Sequence, residues 1–70
     1  MTPEILKNLS MELLIETWEQ VDKMEVTVDV ANIRGWLMNE LERRNTESFE
    51  KWVDDEFEQE KTISPKNYFL

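Results

Sequence analysis

The chain has 70 residues, 16 acidic and eight basic, so its formal charge at neutral pH is −8. It contains no cysteine and no histidine, which excludes disulfide bonds, zinc fingers and thiol nucleophiles. Because its negative charge repels phosphate backbones and anionic lipid headgroups, direct binding to nucleic acid or to a membrane is disfavoured.

The first predicted helix runs over roughly 3–24. Its apolar side chains recur at steps of three and four residues, which is the spacing of one helix face: Leu6, Leu9, Leu13, Leu14, Trp18 and Val21. Ser10 offers an alternative, because a serine hydroxyl can accept the exposed amides of a helix start and divide this segment into a short turn and a main helix. The undivided helix is slightly favoured. In the β-branched link that follows, Glu25-Val26-Thr27-Val28, Thr27 is the expected N-cap of the next helix.

The second predicted helix covers 28–44, and its apolar stripe consists of Val30, Ile33, Leu37 and Leu41. Glu40 and Arg44 stand four residues apart, in the favourable orientation for an ion pair on the outer face. Asn45 is the expected N-cap of a third helix over 46–61. The apolar stripe of this third helix consists of Phe49, Trp52, Val53 and Phe57.

The middle of the second helix contains two residues, Gly35 and Trp36, that its apolar stripe does not explain. Gly35 lowers helix stability by about 1 kcal/mol relative to alanine, so we expect it to be retained for close packing. Trp36 lies about 100° away from the apolar line of that helix. It belongs either to the core or, beside Arg34, to an exposed anchor for a partner, because Trp and Arg dominate many binding surfaces.

These patterns predict a single all-α domain over 1–70, a small three-helix bundle with an irregular tail over 62–70. Pro65 ends the helical pattern, and Tyr68-Phe69-Leu70 is expected to tuck against the bundle. We expect one core shared by Trp18, Leu37, Leu41, Trp52 and Phe57. A core this small is marginal, and self-association is the supplement that the composition leaves. The lack of a basic leader and of a long apolar run indicates a cytoplasmic protein.

The residues are poorly suited to catalysis, which needs a nucleophile beside a base, a tuned acid–base pair or a metal. Histidine is absent, and the serines stand at predicted caps and breaks, where a hydroxyl has a structural role. The acidic run that begins at Asp54 resembles the start of a calcium loop, but Gln59 and Pro65 stand where that loop needs glycine and glutamate. We therefore expect no enzymatic activity, no metal and no cofactor.

The densest charge run is 54–60, with five carboxylates: Asp54, Asp55, Glu56, Glu58 and Glu60. Negative charges near the C-terminal end of a helix oppose its macrodipole, which costs stability unless a cationic partner offsets it. Together with Arg34 and Trp36, this run is the predicted partner-binding surface. Two other interpretations remain. The run is a solvated helix end, or it forms, with the acids of the other helices, a carboxylate array that imitates nucleic-acid phosphates.

One segment carries a longer motif, Arg34-Gly35-Trp36-Leu37-Met38-Asn39-Glu40-Leu41-Glu42-Arg43-Arg44-Asn45, followed by Glu47, Phe49 and Trp52. Over about residues 34–53 it resembles short uncharacterised acidic helical proteins of Gram-positive phages and conjugative elements. In that group the asparagine precedes Pro-Glu-Ala, whereas this chain has Thr46-Glu47-Ser48. The resemblance implies an origin in mobile DNA, where small acidic proteins act as accessory factors or inhibitors of host defence.

The functional expectation is a non-enzymatic module that binds a protein with a basic surface. The alternative is a nucleic-acid mimic that inhibits a DNA- or RNA-binding enzyme, such as a host defence nuclease. The distribution of charge over the folded surface distinguishes the two, because a mimic needs its carboxylates gathered in a band.

Overall fold

The computed structural model describes residues 2–70 and confirms that this part of the chain folds as α-helices without strands. Five helices follow one another: α1 (Pro3–Lys7), α2 (Met11–Asp22), α3 (Val28–Arg44), α4 (Thr46–Gln59) and α5 (Lys66–Phe69). The principal extents are 30 × 25 × 15 Å. Within the described range, no helix combines the length and the apolar character that crossing a membrane requires.

The single N-terminal helix expected over 3–24 is wrong, because Ser10 divides it into α1 and α2. The backbone of Ser10 is extended, and its Oγ accepts the amide hydrogen of Leu13 at 3.2 Å. This is the geometry of an N-cap, which satisfies an amide that the helix itself leaves open. The break allows α1 to pack on α3 with Leu6 fully buried.

The two other predicted caps are confirmed, and α3 has the predicted bounds. Thr27 Oγ1 accepts the amide hydrogen of Val30 at 3.2 Å. Asn45 serves two helices at once: its amide donates to the carbonyl of Leu41 at 3.1 Å, and its Oδ1 accepts from the amide of Ser48 at 3.1 Å. A single residue therefore closes α3 and begins α4.

The end of α4 differs from the prediction by two residues. The helix stops at Gln59, and Glu60 follows in the left-handed conformation, with φ 51° and ψ 39°. Glycine is the usual residue at this position, because a Cβ in this conformation costs roughly 1–2 kcal/mol. Glu60 therefore ends the helix under local backbone strain.

The core lies where α3 contacts α1, α2 and α4. Its buried side chains are Leu6, Leu14, Trp18, Val21, Leu37, Leu41 and Trp52. Trp52 joins α4 to α2, because its ring meets that of Trp18 edge-on with centroids 5.1 Å apart, a favourable arrangement of aromatic pairs. The expected shared core is confirmed for Trp18, Leu37, Leu41 and Trp52, whereas Phe57 lies outside it.

The C-terminal segment is not irregular throughout, as was expected of 62–70. It forms the short helix α5, which contacts both α4 and α2. Pro65 is fully buried at the start of this helix. The tucked position expected of the aromatic end is confirmed for Tyr68 and Phe69, which are half-buried against the core, whereas Leu70 is exposed.

Trp52 also fastens this C-terminal segment. Its indole N–H donates to the carbonyl of Ile63 at 2.8 Å, which gives the buried indole the polar partner that it needs. Its ring also lies edge-on to Phe69, with centroids 6.3 Å apart. One fully buried tryptophan therefore holds three parts of the chain together: α2, α4 and the segment that leads into α5.

The close packing expected at Gly35 is wrong. The residue is exposed, and a Cβ placed on it would meet no atom within 4 Å. A close approach by another part of residues 2–70 therefore does not explain the glycine, which costs about 1 kcal/mol relative to alanine in a helix interior.

Candidate functional site

Helix α4 positions the acidic run, and its buried face decides which acids remain exposed. Trp52 is fully buried on this helix, whereas Asp54, Glu58 and Glu60 are exposed. Asp55 and Glu56 are half-buried, so the run 54–60 does not form one uniformly exposed surface.

Two carboxylates of the run bind the C-terminal segment. The amide of Ile63 donates to Glu56 Oε2 at 2.8 Å, and the hydroxyl of Tyr68 donates to Asp55 Oδ2 at 2.7 Å. Both acids are half-buried. The hydrogen bond to Asp55, together with burial and the nearby negative charges, raises the pKa of the Tyr68 hydroxyl above its ordinary value. Asp55 and Glu56, both predicted to bind a partner, thus have structural roles within the chain.

The sequence predicts Phe57 as a core residue, but the residue is 83% exposed. The helix geometry explains the error, because five residues of helix separate Phe57 from Trp52 by about 140°. The position that continues the buried line is Glu56, four residues after Trp52, and it receives the amide of Ile63. The chain therefore presents a large aromatic ring to solvent in the middle of its acidic run.

We call the exposed members of this region the α4 acidic face: Asp54, Phe57, Glu58 and Glu60. None of the four is hydrogen-bonded through its side chain to another part of the described chain, whereas Asp55 and Glu56 both are. Carboxylates around an aromatic ring can pair with lysine or arginine while the ring enters an apolar pocket.

The second part of the predicted binding surface, Arg34 with Trp36, is not an exposed pair. Arg34 Nη1 lies 2.9 Å from Asp22 Oδ1, and the guanidinium carbon lies 4.7 Å from the ring centroid of Trp18. Arg34 therefore joins α3 to α2. Trp36 is half-buried, and its exposed part lines a surface cleft together with Asp29, Asn32 and Ile33.

Glu40 forms the predicted ion pair, but the outer-face position expected of it is wrong, since only 5% of it is exposed. Its carboxylate accepts from Arg44 Nε at 2.7 Å and also from Arg43. Arg44 Nη2 continues to the carbonyls of Leu6 and Lys7, at 3.0 and 3.2 Å. The pKa of Glu40 lies below its ordinary value, and the hydrogen bonds from Arg43 are the largest cause. Burial acts in the opposite sense. These contacts tie α1 to α3.

A second acidic surface lies on α2, where a cleft toward α5 is lined by Glu12, Ile15, Glu16, Glu19, Lys66 and Leu70. Glu19 is bound within the chain, because it accepts from Ser64 Oγ at 2.6 Å. Among residues 2–70, no group of three or more acidic side chains is arranged so that it could hold a metal ion.

The helices differ sharply in charge. α2 carries four acidic residues and no basic residue, and α4 carries six acidic residues and one lysine. By contrast, α3 carries three acidic and three basic residues. The excess negative charge is therefore concentrated on α2 and α4.

No protein-family model, no curated protein and no solved structure matches the chain. The α4 acidic face is therefore described from the exposure and hydrogen bonds of this chain alone.

Proposed function

We propose that the chain is a non-enzymatic protein-binding module that works in the cytoplasm as an accessory factor of a mobile genetic element. The α4 acidic face makes the contact, and a three-helix bundle of α2, α3 and α4 holds that face in place. The partner carries an apolar pocket with lysine or arginine at its rim. Phe57 fills the pocket, and Asp54, Glu58 and Glu60 pair with the rim.

The observation that carries this proposal is the 83% exposure of Phe57 between exposed carboxylates. Burying a phenylalanine side chain stabilises a contact by roughly 1.5–3 kcal/mol, so leaving it in solvent forgoes that gain within the fold. The carboxylates near the helix end are also unfavourable for folding, because they oppose the helix macrodipole. Both features become favourable when a cationic surface with an apolar pocket covers them.

The test begins with a partner recovered from the native host by affinity capture and then purified. Two variants are compared with the wild type by surface plasmon resonance: Phe57→Ala, and the triple change Asp54→Asn, Glu58→Gln and Glu60→Gln. Phe57→Ala should raise the dissociation rate, because it removes the anchor. The triple variant should lower the association rate at low salt, and the difference should shrink as salt screens exposed charges.

A matched control removes the same amount of charge elsewhere. Glu12→Gln, Glu16→Gln and Glu25→Gln change three exposed acids outside α4, so overall charge rises equally. Val26→Ala truncates another apolar residue, 79% exposed. Binding should be nearly unchanged in both controls. Equal losses in the control and α4 triple variants would reject the α4 acidic face as the contact site.

The second candidate, a nucleic-acid mimic, is favoured by one observation, the concentration of negative charge on α2 and α4. A mimic uses carboxylates of both helices and has no need for an aromatic anchor. It therefore predicts that the control triple variant, which neutralises Glu12 and Glu16 of α2, and the α4 triple variant weaken binding similarly, that Phe57→Ala has no effect, and that duplex DNA or RNA competes for the partner. Loss confined to Phe57→Ala and the α4 triple variant would reject the mimic.

A further inference from the structure

Helix α3 presents a nearly neutral face on a strongly acidic chain. We call its outer stripe the α3 face: Asp29, Asn32, Gly35, Trp36, Asn39 and Arg43. All of these residues are exposed except Trp36, which is half-buried. The stripe itself contains one acidic and one basic side chain, and the exposed Glu42 lies at its edge, seven residues after Gly35, whereas the whole chain has a formal charge of −8. It is therefore a surface on which a second acidic molecule meets little repulsion.

The charges on the α3 face are placed symmetrically about Trp36. Asp29 stands seven residues before it and Arg43 seven residues after it. Seven residues advance a helix by about 10.5 Å and return to the same side within about 20°. The face thus has an acid at one end, a base at the other and an aromatic ring midway between them.

The members of this face are available for contact. The side chain of Arg43 is 58% exposed although it also binds Glu40. Trp36 borders an open surface cleft with Asp29 and Asn32. Gly35, beside it, has no atom within 4 Å of the place where a Cβ would stand, so another backbone can approach α3 closely there.

We propose that a second copy of this chain docks on the α3 face, with the two α3 helices antiparallel and Trp36 near the two-fold axis. Because a two-fold interface uses the same surface on both copies, every contact across it occurs twice. Asp29 of each copy then meets Arg43 of the other. This self-complementarity selects a second copy as the occupant, since reversing the helix brings opposite charges together at both ends.

Sedimentation equilibrium of the full chain tests the proposal through charge reversal. Asp29→Arg places arginine opposite arginine at both ends, and Arg43→Glu places acid opposite acid. Each variant should self-associate about tenfold more weakly than the wild type at low salt, because two attractions become two repulsions. An equimolar mixture of the two variants should recover the wild-type affinity as a heterodimer, which native mass spectrometry identifies by its mass.

The controls separate this geometry from overall charge. Glu50→Arg and Lys51→Glu change the net charge by the same amounts at exposed positions of α4 outside the α4 acidic face. Asp29→Arg lowers the net negative charge, which alone would promote association, yet it should weaken the dimer. Glu50→Arg should not weaken it. Far-UV circular dichroism at the same concentrations verifies that every variant is folded.

Gly35→Gln tests the close approach without touching any charge or the Glu40 contacts. Glutamine favours a helix over glycine by roughly 0.5–1 kcal/mol, so the isolated chain should melt at a higher temperature. The bulkier side chain should at the same time reduce self-association about tenfold or more. A monomeric wild type at every concentration up to about 100 μM, or failure of the mixed variants to pair, overturns the proposal.

Discussion

The two charged runs of the chain, 40–44 on α3 and 54–60 at the C-terminal end of α4, differ in how far they are built into the fold. In the first, Glu40 is buried between two arginines and its neighbour Leu41 is fully buried. In the second, the acids outnumber nearby cations and the aromatic residue among them, Phe57, is exposed. A run with both charge signs is built into the fold, whereas a run with one sign is left largely on the surface.

The difference follows from the cost of burying charge. A buried carboxylate is tolerated when cations and hydrogen bonds replace its water, as Arg43 and Arg44 do for Glu40. The acids of 54–60 have no such cations, so only the two that receive donors from the C-terminal segment, Asp55 and Glu56, are half-buried. Their neighbour Phe57 stays outside with the remaining acids.

The largest expected contrast comes from truncating the apolar residue of each run. Leu41→Ala should lower the free energy of unfolding by about 2–5 kcal/mol, because it removes a fully buried side chain and leaves a cavity. Phe57→Ala should change it by less than about 0.5 kcal/mol, because the ring is mostly in solvent. Urea unfolding followed by tryptophan fluorescence measures both. Similar losses in the two variants would show that Phe57 is packed in solution.

The next contrast removes one carboxylate charge from each run. Glu40→Gln should cost about 1–3 kcal/mol, because it weakens charge-assisted hydrogen bonds to two arginines. Glu58→Gln should be neutral or slightly stabilising, since it removes a negative charge from the last turn of α4. The same urea experiment at neutral pH compares the two variants with the wild type.

Lowering the pH tests whether the charge of Glu40 accounts for the difference in stability between wild type and Glu40→Gln. The folded-state pKa of Glu40 lies below its ordinary value of 4.5, so its contribution to stability is complete above that pH and is lost as the pH falls through the folded-state pKa. The difference between wild type and Glu40→Gln should therefore shrink below about pH 4.5. A difference that stays constant with falling pH would mean that packing, and not charge, accounts for the cost.

The features that the sequence predicts correctly depend on near neighbours. The caps at Ser10, Thr27 and Asn45 each bind an amide three residues later, so the pattern is visible in a short window. At Ser10 the serine indicates a cap, whereas the continuous apolar stripe favours one undivided helix. The resulting error shows that a strong N-cap can interrupt a stripe that is otherwise compatible with one helix.

The errors that matter most for the candidate site depend on distant parts of the chain. Glu40 is buried beside arginines, one of which binds carbonyls of α1, 37 and 38 residues away in sequence. Glu56 takes the position in line with Trp52 because Ile63 returns to it from beyond the helix. The acidic run itself was evident from the sequence. Its division into structural and exposed acids required the C-terminal segment in place.

Smaller effects are expected from glycine exchanges in the two helices. Glu60→Gly should stabilise the chain by about 1 kcal/mol, because glycine adopts the left-handed conformation of residue 60 without strain. Glu60→Ala is the control and should give little of this gain, because it keeps the Cβ. Gly35→Ala should also stabilise by about 1 kcal/mol, since its Cβ meets nothing. Thermal melting at low protein concentration measures all three.

The smallest expected effect concerns the link between the acidic run and the C-terminal segment. Tyr68→Phe removes the hydrogen bond to Asp55 while keeping the ring. The variant should be slightly less stable at neutral pH, because Tyr68 is half-buried at the edge of the core. Asp55→Asn is the matched change on the acceptor side. It should resemble Tyr68→Phe, since an amide oxygen accepts the same hydrogen bond more weakly than a carboxylate.

Alkaline titration tests the hydrogen bond between Tyr68 and Asp55 on its own. The folded-state pKa of Tyr68 is raised above its ordinary value of 10.0, so the contribution of its hydroxyl is complete below that pH and is lost as the pH rises through the folded-state pKa. Stability of the wild type should fall toward that of Tyr68→Phe above about pH 10. Tyr68 is the single tyrosine of the chain, so the ultraviolet absorbance of tyrosinate follows this group alone. A titration midpoint at or below the ordinary value would show that Asp55 does not hold the hydroxyl. Within residues 2–70, Glu56 would then supply the one remaining side-chain hydrogen bond between the acidic run and the C-terminal segment.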